Sequence, residues 1–183
     1  MTAPASASAS ASASAPAPLP ATPPSGAAAL RLGPLSDADR AAWELLARGY
    51  KAYYETAVPG AGYEAAWQRL RSGGTMLGLG AWAAPAGGGP ERLVGIAHAV
   101  FHGSFWADTV CYLQDLFVDP GERGHGVAGA LIAHLAQQAE GRGAARFFWL
   151  THEGNARARR LYDRVAVHQG FLRYDHPVTP PPG

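Results

Sequence analysis

The sequence of 183 residues has a single cysteine, Cys111, which excludes a disulfide bond within the chain. One cysteine is typical of proteins in a reducing cytosol, so we expect a cytoplasmic location. Cys111 lies in the apolar stretch TVCYL, which favours a buried thiol over a nucleophile. Nothing approaches the ~20 continuous apolar residues of a membrane-spanning helix, so no membrane partner is expected. The net charge of +1 argues against a general nucleic-acid binder.

The N-terminal stretch, residues 1–27, lacks charged and aromatic side chains, and only Met1 and Leu19 in it are large and apolar. This Ala/Ser/Pro-rich composition cannot bury enough apolar surface to offset the entropy of ordering, which predicts a disordered tail. The tail also lacks the basic start and the apolar core of a secretory signal. We expect one folded domain over residues 28–177 and a Pro-rich end over residues 178–183.

The pattern of apolar residues predicts an α/β domain of the α+β or mixed kind. Helical periodicity predicts four helices, at residues 36–54, 62–73, 125–141 and 155–170. Apolar and β-branched runs predict strands at residues 30–35, 75–84, 92–103, 109–120, 145–152 and 171–178. Ser36 is expected to cap the first helix, and PAGGGP (residues 85–90) to close a hairpin. Strands that cluster before one helical crossover, followed by a β-α-β unit, indicate this mixed class. The expected sheet has about six to seven strands.

The stretch RGHGVAG, residues 123–129, has two interpretations. Gly124, Gly126 and Gly129 match the G-x-G-x-x-G of a dinucleotide-binding turn, whereas from Arg123 the letters match the phosphate-binding pattern R-x-x-G-x-A. Only about 54 residues follow the motif, too few for the successive βαβ units of a dinucleotide fold. The remaining interpretation is a glycine-rich turn that opens a helix, whose N–H groups and dipole suit a pyrophosphate. Glycines that only end a strand and start a helix are the alternative.

The stretches YLQDLFVDPGERGHGVAGALI and FFWLTHEGNARARRLYDRVAVHQGF resemble the GNAT superfamily of acyl-CoA-dependent N-acyltransferases. Three elements match in order and spacing: the strand L-x-D-L-F-V before a D-P turn, the loop R-G-x-G-V-A, and W-x-T-x-x-x-N-x-x-A-R-x-L-Y followed by G-F. The match covers residues 30–176 in layout and 109–172 in detail. The resemblance implies a single GNAT-like domain, which looks most like the bacterial histone and polyamine acetyltransferases.

The resemblance also implies which residues contact acetyl-CoA, the expected co-substrate. No metal site is expected, because His152-Glu153 does not extend to H-E-x-x-H. Main-chain groups of Leu116, Phe117 and Val118 would pair with the pantetheine arm. The glycine-rich turn would hold the pyrophosphate, and the start of the last helix would contact the coenzyme again. These two segments are Arg123, Gly124, His125, Gly126, Val127, Ala128 and Gly129, and then Asn155, Ala156, Arg157 and Ala158.

Tyr162 and Asp115 are the candidate catalytic residues. Asn155 and Tyr162 are seven residues apart, so both side chains project from one helix face. Tyr162 would protonate the departing thiolate, with a plain core aromatic as the alternative, and Asn155 also suits an N-cap. Close relatives often carry a carboxylate where this chain has Gln114, so the resemblance does not identify the general base. A lone carboxylate in so apolar a strand is costly unless it has a partner, so Asp115 is either a partner of the substrate amine or a satisfied structural acid.

Strand alternation gives two further expectations. One side of the strand would carry Cys111, Leu113, Asp115 and Phe117, and the other Tyr112 and Gln114. His98 and His102 are interpreted as ordinary strand histidines that share a face, not as metal ligands.

We therefore expect an N-acetyltransferase that moves an acetyl group directly from acetyl-CoA to a primary amine. The amine would belong to a polyamine, another small molecule or a lysine side chain. One alternative is the same fold kept as a non-catalytic acyl-CoA sensor, against which Tyr162 argues. The other alternative is a dinucleotide oxidoreductase. The resemblance allows a homodimer, because many relatives dimerise, but no residue fixes the interface.

Overall fold

The computed structural model describes residues 30–85 and 88–178, so the tail predicted over residues 1–27 lies outside the described residues. Five strands form one sheet: β1 (Leu30–Pro34), β2 (Met76–Ala83), β3 (Arg92–Ser104), β4 (Ala107–Val118) and β5 (Phe147–Trp149). Four helices flank it: α1 (Arg40–Tyr53), α2 (Gly60–Arg71), α3 (Val127–Gly141) and α4 (Ala156–Val165). The predicted class, a single α/β domain with four helices, is confirmed, but the described sheet has five strands and not six or seven.

The sheet is mixed, with the strands in sequence order from β1 to β5. All neighbours are antiparallel except β4 and β5, which are parallel. The parallel pair needs a crossover, and α3 supplies it. The predicted hairpin is confirmed, because β2 and β3, the strands before and after residues 85–90, pair antiparallel.

Two apolar clusters cover the two faces of the sheet. Helix α3 packs on one face, where its Leu131 and Leu135 side chains are fully buried. Helices α1 and α2 pack on the other face, with Trp43 and Phe117 in the same cluster. Gly49 of α1 permits this packing, because a Cβ there would approach the Phe117 ring to 2.8 Å. Glycine thus lets α1 lie close to the strand that carries the candidate site.

The predicted helix at residues 36–54 begins with a 3₁₀ turn over Asp37–Asp39, and α1 follows. Ser36 is its N-cap, as predicted. Both its hydroxyl and its main-chain N–H donate to the Asp39 carboxylate, at 2.6 and 2.8 Å. This contact fixes the start of the helix that covers β4.

The C-terminal part differs from the prediction. The helix expected over residues 155–170 ends at Val165, and residues 171–178 form no strand within the described chain. A strand is stabilised by a paired edge and by one buried face. Here Phe171 and Leu172 remain 84% and 78% exposed, so this segment buries no face.

A bulge in β4 overturns the predicted alternation. The sequence pattern predicts one shared side for Cys111, Leu113, Asp115 and Phe117. That prediction is wrong, because Gln114 is an extra residue between the positions that pair with His98 and Ala99 of β3. Leu113 stays in the cluster on the α3 side, whereas the Asp115 carboxylate meets Tyr50 of α1. The extra residue reverses the phase of the strand and turns Asp115 to the opposite face.

Candidate active site

The glycine-rich turn leads directly into α3. Gly124 and Gly126 have φ angles of +93° and +83°, a region that glycine adopts without strain. The first main-chain bond of the helix runs from Ala130 N–H to Gly126 O at 3.0 Å. The three N–H groups before Ala130, those of residues 127–129, therefore have no acceptor within the helix. A Cβ built on either glycine would meet no described atom within 4 Å, so open space borders the turn.

Arg123 connects the turn to the end of β4. Its Nε donates to Val118 O at 3.1 Å, and its guanidinium carbon lies 5.4 Å from the centroid of the Phe117 ring. On the other side, Glu122 pairs with Arg92 at 2.7 Å and with His125 at 3.4 Å. The predicted pyrophosphate-binding segment thus lies next to the end of β4. Its charge and its open amides fit a phosphate group.

The strands β4 and β5 diverge beside this turn. They pair over three positions, of which the last joins Leu113 to Trp149. Beyond Leu113, β4 continues to Val118 and stays paired with β3 on its other edge. In such a strand, main-chain N–H and C=O groups alternate between the two edges. Part of the main chain of Leu116–Val118 therefore faces an edge beyond the reach of the β5 pairing, where an extended ligand could bind like a strand.

An open cleft of about 580 Å³ lies at this divergence. Its lining consists of Tyr50, His102, Tyr112, Gln114, Asp115, Phe148, Leu150 and Arg173. The rings of Tyr112 and Phe148 stack with centroids 5.2 Å apart and form an apolar wall. A narrow slot shares Tyr50, Gln114 and Leu150 with the cleft, and Tyr162 lines the slot. The structure thus brings Asp115 and Tyr162, the two predicted catalytic residues, to adjoining spaces.

A chain of hydrogen bonds holds Asp115 in place. Trp43 Nε1, which can only donate, lies 2.9 Å from His98 Nε2. Nε2 must therefore accept, so the proton of the neutral ring is on Nδ1, which donates to Asp115 Oδ2 at 2.9 Å. The His98 and Asp115 side chains are only 15% and 17% exposed. Asp115 is thus a satisfied acid within the fold that also lines the cleft, and its pairing with a substrate amine stays a prediction.

The surroundings of Asp115 favour its charged form. Burial alone would raise the pKa of Asp115, but contacts with His98 and Tyr50 and the charge of Lys51 outweigh burial and hold this pKa below its usual value. A carboxylate with a lowered pKa is a weak proton acceptor near pH 7 and a good partner for a cation. A lowered pKa suits Asp115 better to pairing with an ammonium group than to acting as a general base.

Tyr162 is partly buried on α4, and its ring centroid lies 5.3 Å from that of Trp149. Burial raises the pKa of Tyr162 to about 12, with a smaller contribution from Tyr54 and Tyr53. The hydroxyl therefore keeps its proton at neutral pH and can donate it. This state is the one that a general acid needs.

Asn155 caps α4, as the sequence indicated. Its Oδ1 accepts from Ala158 N–H at 3.2 Å, and its Nδ2 lies 3.4 Å from Thr151 Oγ1. Ala156 and Arg157, in the first turn of α4, are exposed. The side chain of Asn155 thus shapes the start of the helix that carries Tyr162.

Several residues of the site were not predicted. Tyr50 lies in the predicted helix at residues 36–54 and Arg173 in the predicted strand at residues 171–178, and both line the cleft. His98, which the sequence indicates only as an ordinary strand histidine, contacts Asp115. These residues come from separate parts of the chain, and no sequence spacing connects them. Cys111 is fully buried, as predicted, and burial raises its thiol pKa to about 11. Within the described residues, no cluster of three or more His, Cys, Asp or Glu suits a metal, and no helix has the length and apolarity to cross a membrane.

Comparisons with known proteins agree with this geometry. The acetyltransferase (GNAT) family model matches residues 41–166, and the chain belongs to this family. The D-amino-acid N-acetyltransferase HPA3 of Saccharomyces cerevisiae is 30% identical over 137 residues, which cover 74% of this chain and 83% of that protein.

Two solved structures share the fold and cover 82% of this chain. The aminoglycoside acetyltransferase meta-AAC0020 from an uncultured soil metagenomic sample, in complex with sisomicin, has a TM-score of 0.68 at 17% identity over 97% of its own chain. AAC(6')-Iy, in complex with the bisubstrate analogue CoA-S-monomethyl-acetylneamine, has a TM-score of 0.70 at 16% identity over 99% of its own chain. The protein is therefore an N-acetyltransferase of the GNAT type, a family that uses acetyl-CoA as co-substrate.

Proposed function

We propose that the protein transfers an acetyl group directly from acetyl-CoA to a primary amine bound in the cleft at Asp115. The observation that carries this proposal is the divergence of β4 from β5, which opens one edge of β4 between the glycine-rich turn and the cleft. A pyrophosphate at the turn and a pantetheine arm along Leu116–Val118 would bring the thioester to the junction of cleft and slot. Asp115 lies on one side of this junction and Tyr162 on the other.

The proposed reaction needs three groups of the protein. The ammonium group pairs with the Asp115 carboxylate and then loses a proton to water in the open cleft, because only the neutral nitrogen can attack. The nitrogen bonds to the thioester carbon, and a main-chain N–H of β4 donates to the developing oxyanion. The nitrogen then releases its second proton to water. As the carbon–sulfur bond breaks, Tyr162 gives its proton to the sulfur and later regains one from solvent.

The names of the relatives give two kinds of acceptor. The yeast relative is named for D-amino acids, and the two structural neighbours are named for aminoglycosides or hold an analogue of one. Each of these acceptors is a small-molecule amine. We therefore propose a small-molecule primary amine as the acceptor, ahead of the lysine side chain that the sequence also allowed.

Thiol release from acetyl-CoA, measured with a panel of small amines and a lysine peptide, tests the reaction. Turnover with at least one amine is the expected result. Binding of acetyl-CoA without turnover on any amine would instead indicate the non-catalytic sensor.

The coenzyme site has its own test in the variant Gly126→Val. A branched side chain would be strained at φ +83° and would fill the space where phosphate oxygens approach, so calorimetry should show that acetyl-CoA binding is lost. Gly143→Val is the matched control, because Gly143 also has a positive φ, +66°, and open space around it but lies beyond the other end of α3. Unchanged affinity in a folded Gly126→Val variant would contradict the pyrophosphate assignment.

A further inference from the structure

The charges that line the cleft do not suit a polycation. Among the described lining residues, Asp115 is the carboxylate and Arg173 is the guanidinium. Polyamines and aminoglycosides carry two or more ammonium groups, and each group that leaves water needs an anionic or hydrogen-bonding partner. Asp115 can serve one ammonium group, and the Arg173 guanidinium, which has only donors, offers no acceptor to a second one.

Arg173 is held in a position from which it can bind another anion. Its Nε donates to Asp175 Oδ1 at 2.9 Å, and its Nη2 lies 2.8 Å from the same oxygen. A guanidinium group has five N–H donors, so this contact leaves donors for a second carboxylate. The Arg173 side chain is 63% exposed, so a ligand in the cleft can reach it.

The surface between the two charges is apolar and aromatic. The stacked rings of Tyr112 and Phe148 form one wall, and Leu150 extends the apolar lining. An acceptor with one ammonium group, one carboxylate and an apolar side chain matches all three parts of the cleft.

We propose that the acceptor substrate is an amino acid with an apolar side chain. Its ammonium group pairs with Asp115, its carboxylate pairs with Arg173, and its side chain packs on Tyr112 and Phe148. This assignment rests on the proposed acetyl transfer at the same cleft, and it makes Arg173 the residue that determines specificity.

The first test compares substrates on the unaltered protein. D-phenylalanine, L-phenylalanine, phenethylamine and spermidine are assayed separately, because phenethylamine keeps the ring and the amine of phenylalanine but lacks the carboxylate. At least one phenylalanine enantiomer should have a kcat/KM about 10-fold or more above that of phenethylamine, at an equal fraction of neutral amine. A preference for phenethylamine or spermidine over both enantiomers would overturn the assignment.

The second test removes the guanidinium. Arg173→Gln should lower kcat/KM for phenylalanine by about 10- to 100-fold, mainly through KM, and should lower that for phenethylamine far less, because phenethylamine has no carboxylate. Arg173→Lys keeps the charge and should restore part of the loss. The control is Arg31→Gln in β1, which removes a comparably exposed arginine that pairs with Glu91. This variant should change kcat/KM for neither phenylalanine nor phenethylamine.

The outcomes separate the two levels of the proposal. An equal effect of Arg173→Gln on both substrates would overturn the role of Arg173 while acetyl transfer stands. If none of the amines tested gives thiol release, both acetyl transfer and the amino-acid assignment are overturned. If circular dichroism shows that Arg173→Gln does not fold, the substrate comparison on the unaltered protein decides.

Discussion

The region from β2 to α3 and the region from β5 to residue 178 are built differently. In the first region, β3 has 13 residues and β4 has 12, and both strands pair along their length. In the second, β5 has three residues, and the chain after α4 leaves Phe171, Leu172 and Tyr174 at least 78% exposed. The first region therefore has the packing of a rigid scaffold, whereas the end of the second, after α4, leaves its large apolar side chains exposed.

The candidate site lies along the border between the two regions. The scaffold supplies the glycine-rich turn, the open edge of β4 and Asp115, which are the proposed binding sites of the coenzyme and the amine. The second region supplies Tyr162 and Arg173. We therefore expect changes in the scaffold to affect folding and coenzyme binding. Changes in the second region should affect turnover and the choice of amine while stability stays almost constant.

Tyr162→Phe should show the largest effect on turnover. If the hydroxyl protonates the leaving thiolate, its contact exists only as the carbon–sulfur bond breaks, so kcat should fall by ~10²–10⁴-fold with little change in acetyl-CoA affinity. Steady-state kinetics and calorimetry measure the two quantities. The control is Tyr63→Phe, which removes the hydroxyl of a buried tyrosine in α2 that lines neither the slot nor the cleft. Near-normal turnover in Tyr162→Phe would make this residue a core aromatic, and weaker binding at unchanged kcat would make its hydroxyl a binding contact.

A pair of leucine substitutions should separate the two regions by stability. Leu135→Ala removes a fully buried side chain of α3 and should lower the free energy of unfolding by about 2–5 kcal/mol. Leu172 is 78% exposed, so Leu172→Ala should change it by no more than about 0.5 kcal/mol. Urea denaturation measures both values. A larger loss at Leu172 that depends on protein concentration would mean that a second copy covers this segment, as in the homodimer that stays a prediction.

The pH dependence of kcat/KM should follow the pKa of the substrate amine and not that of a carboxyl group of the enzyme. The pKa of Asp115 is held below its usual value and that of Tyr162 is raised to about 12, so both groups keep their active forms from about pH 5 to pH 10. Since only the neutral amine attacks, kcat/KM should rise about 10-fold per pH unit until the pKa of the substrate amine is reached. Profiles for two amines whose pKa values differ by about one unit should be displaced by that difference. A midpoint that is the same for both amines would indicate a base on the enzyme.

The sequence predicted the elements from β2 to α3 better than the candidate site between the two regions. The bounds of β2, β3, β4 and α3 follow the predicted ones within two residues, because long apolar runs with a regular period identify buried elements. The bulge at Gln114 was missed, since alternation gives no sign of an extra residue. The strand over residues 171–178 was wrong, because β-branched and aromatic residues favour a strand only where a face is buried. Tyr50 and Arg173 enter the site through tertiary contacts, which one sequence does not reveal.

Removal of residues 1–27 should have the smallest effect and extends the comparison to a third region. Only Met1 and Leu19 in this stretch could bury a large apolar side chain, so a chain that starts at Ala28 should keep its Tm within about 2 °C and its kcat/KM. A chain that starts at Asp37 is the contrasting control, because it also loses β1, which pairs with β2 over five positions. That chain should melt at a clearly lower temperature, since the edge of β2 and the apolar side chains under β1 become exposed. If removal of residues 1–27 alone lowered Tm by more than about 5 °C, the stretch would contribute packing that its composition does not indicate, and the exposed side chains of residues 171–178 would be the surface to examine for that contact.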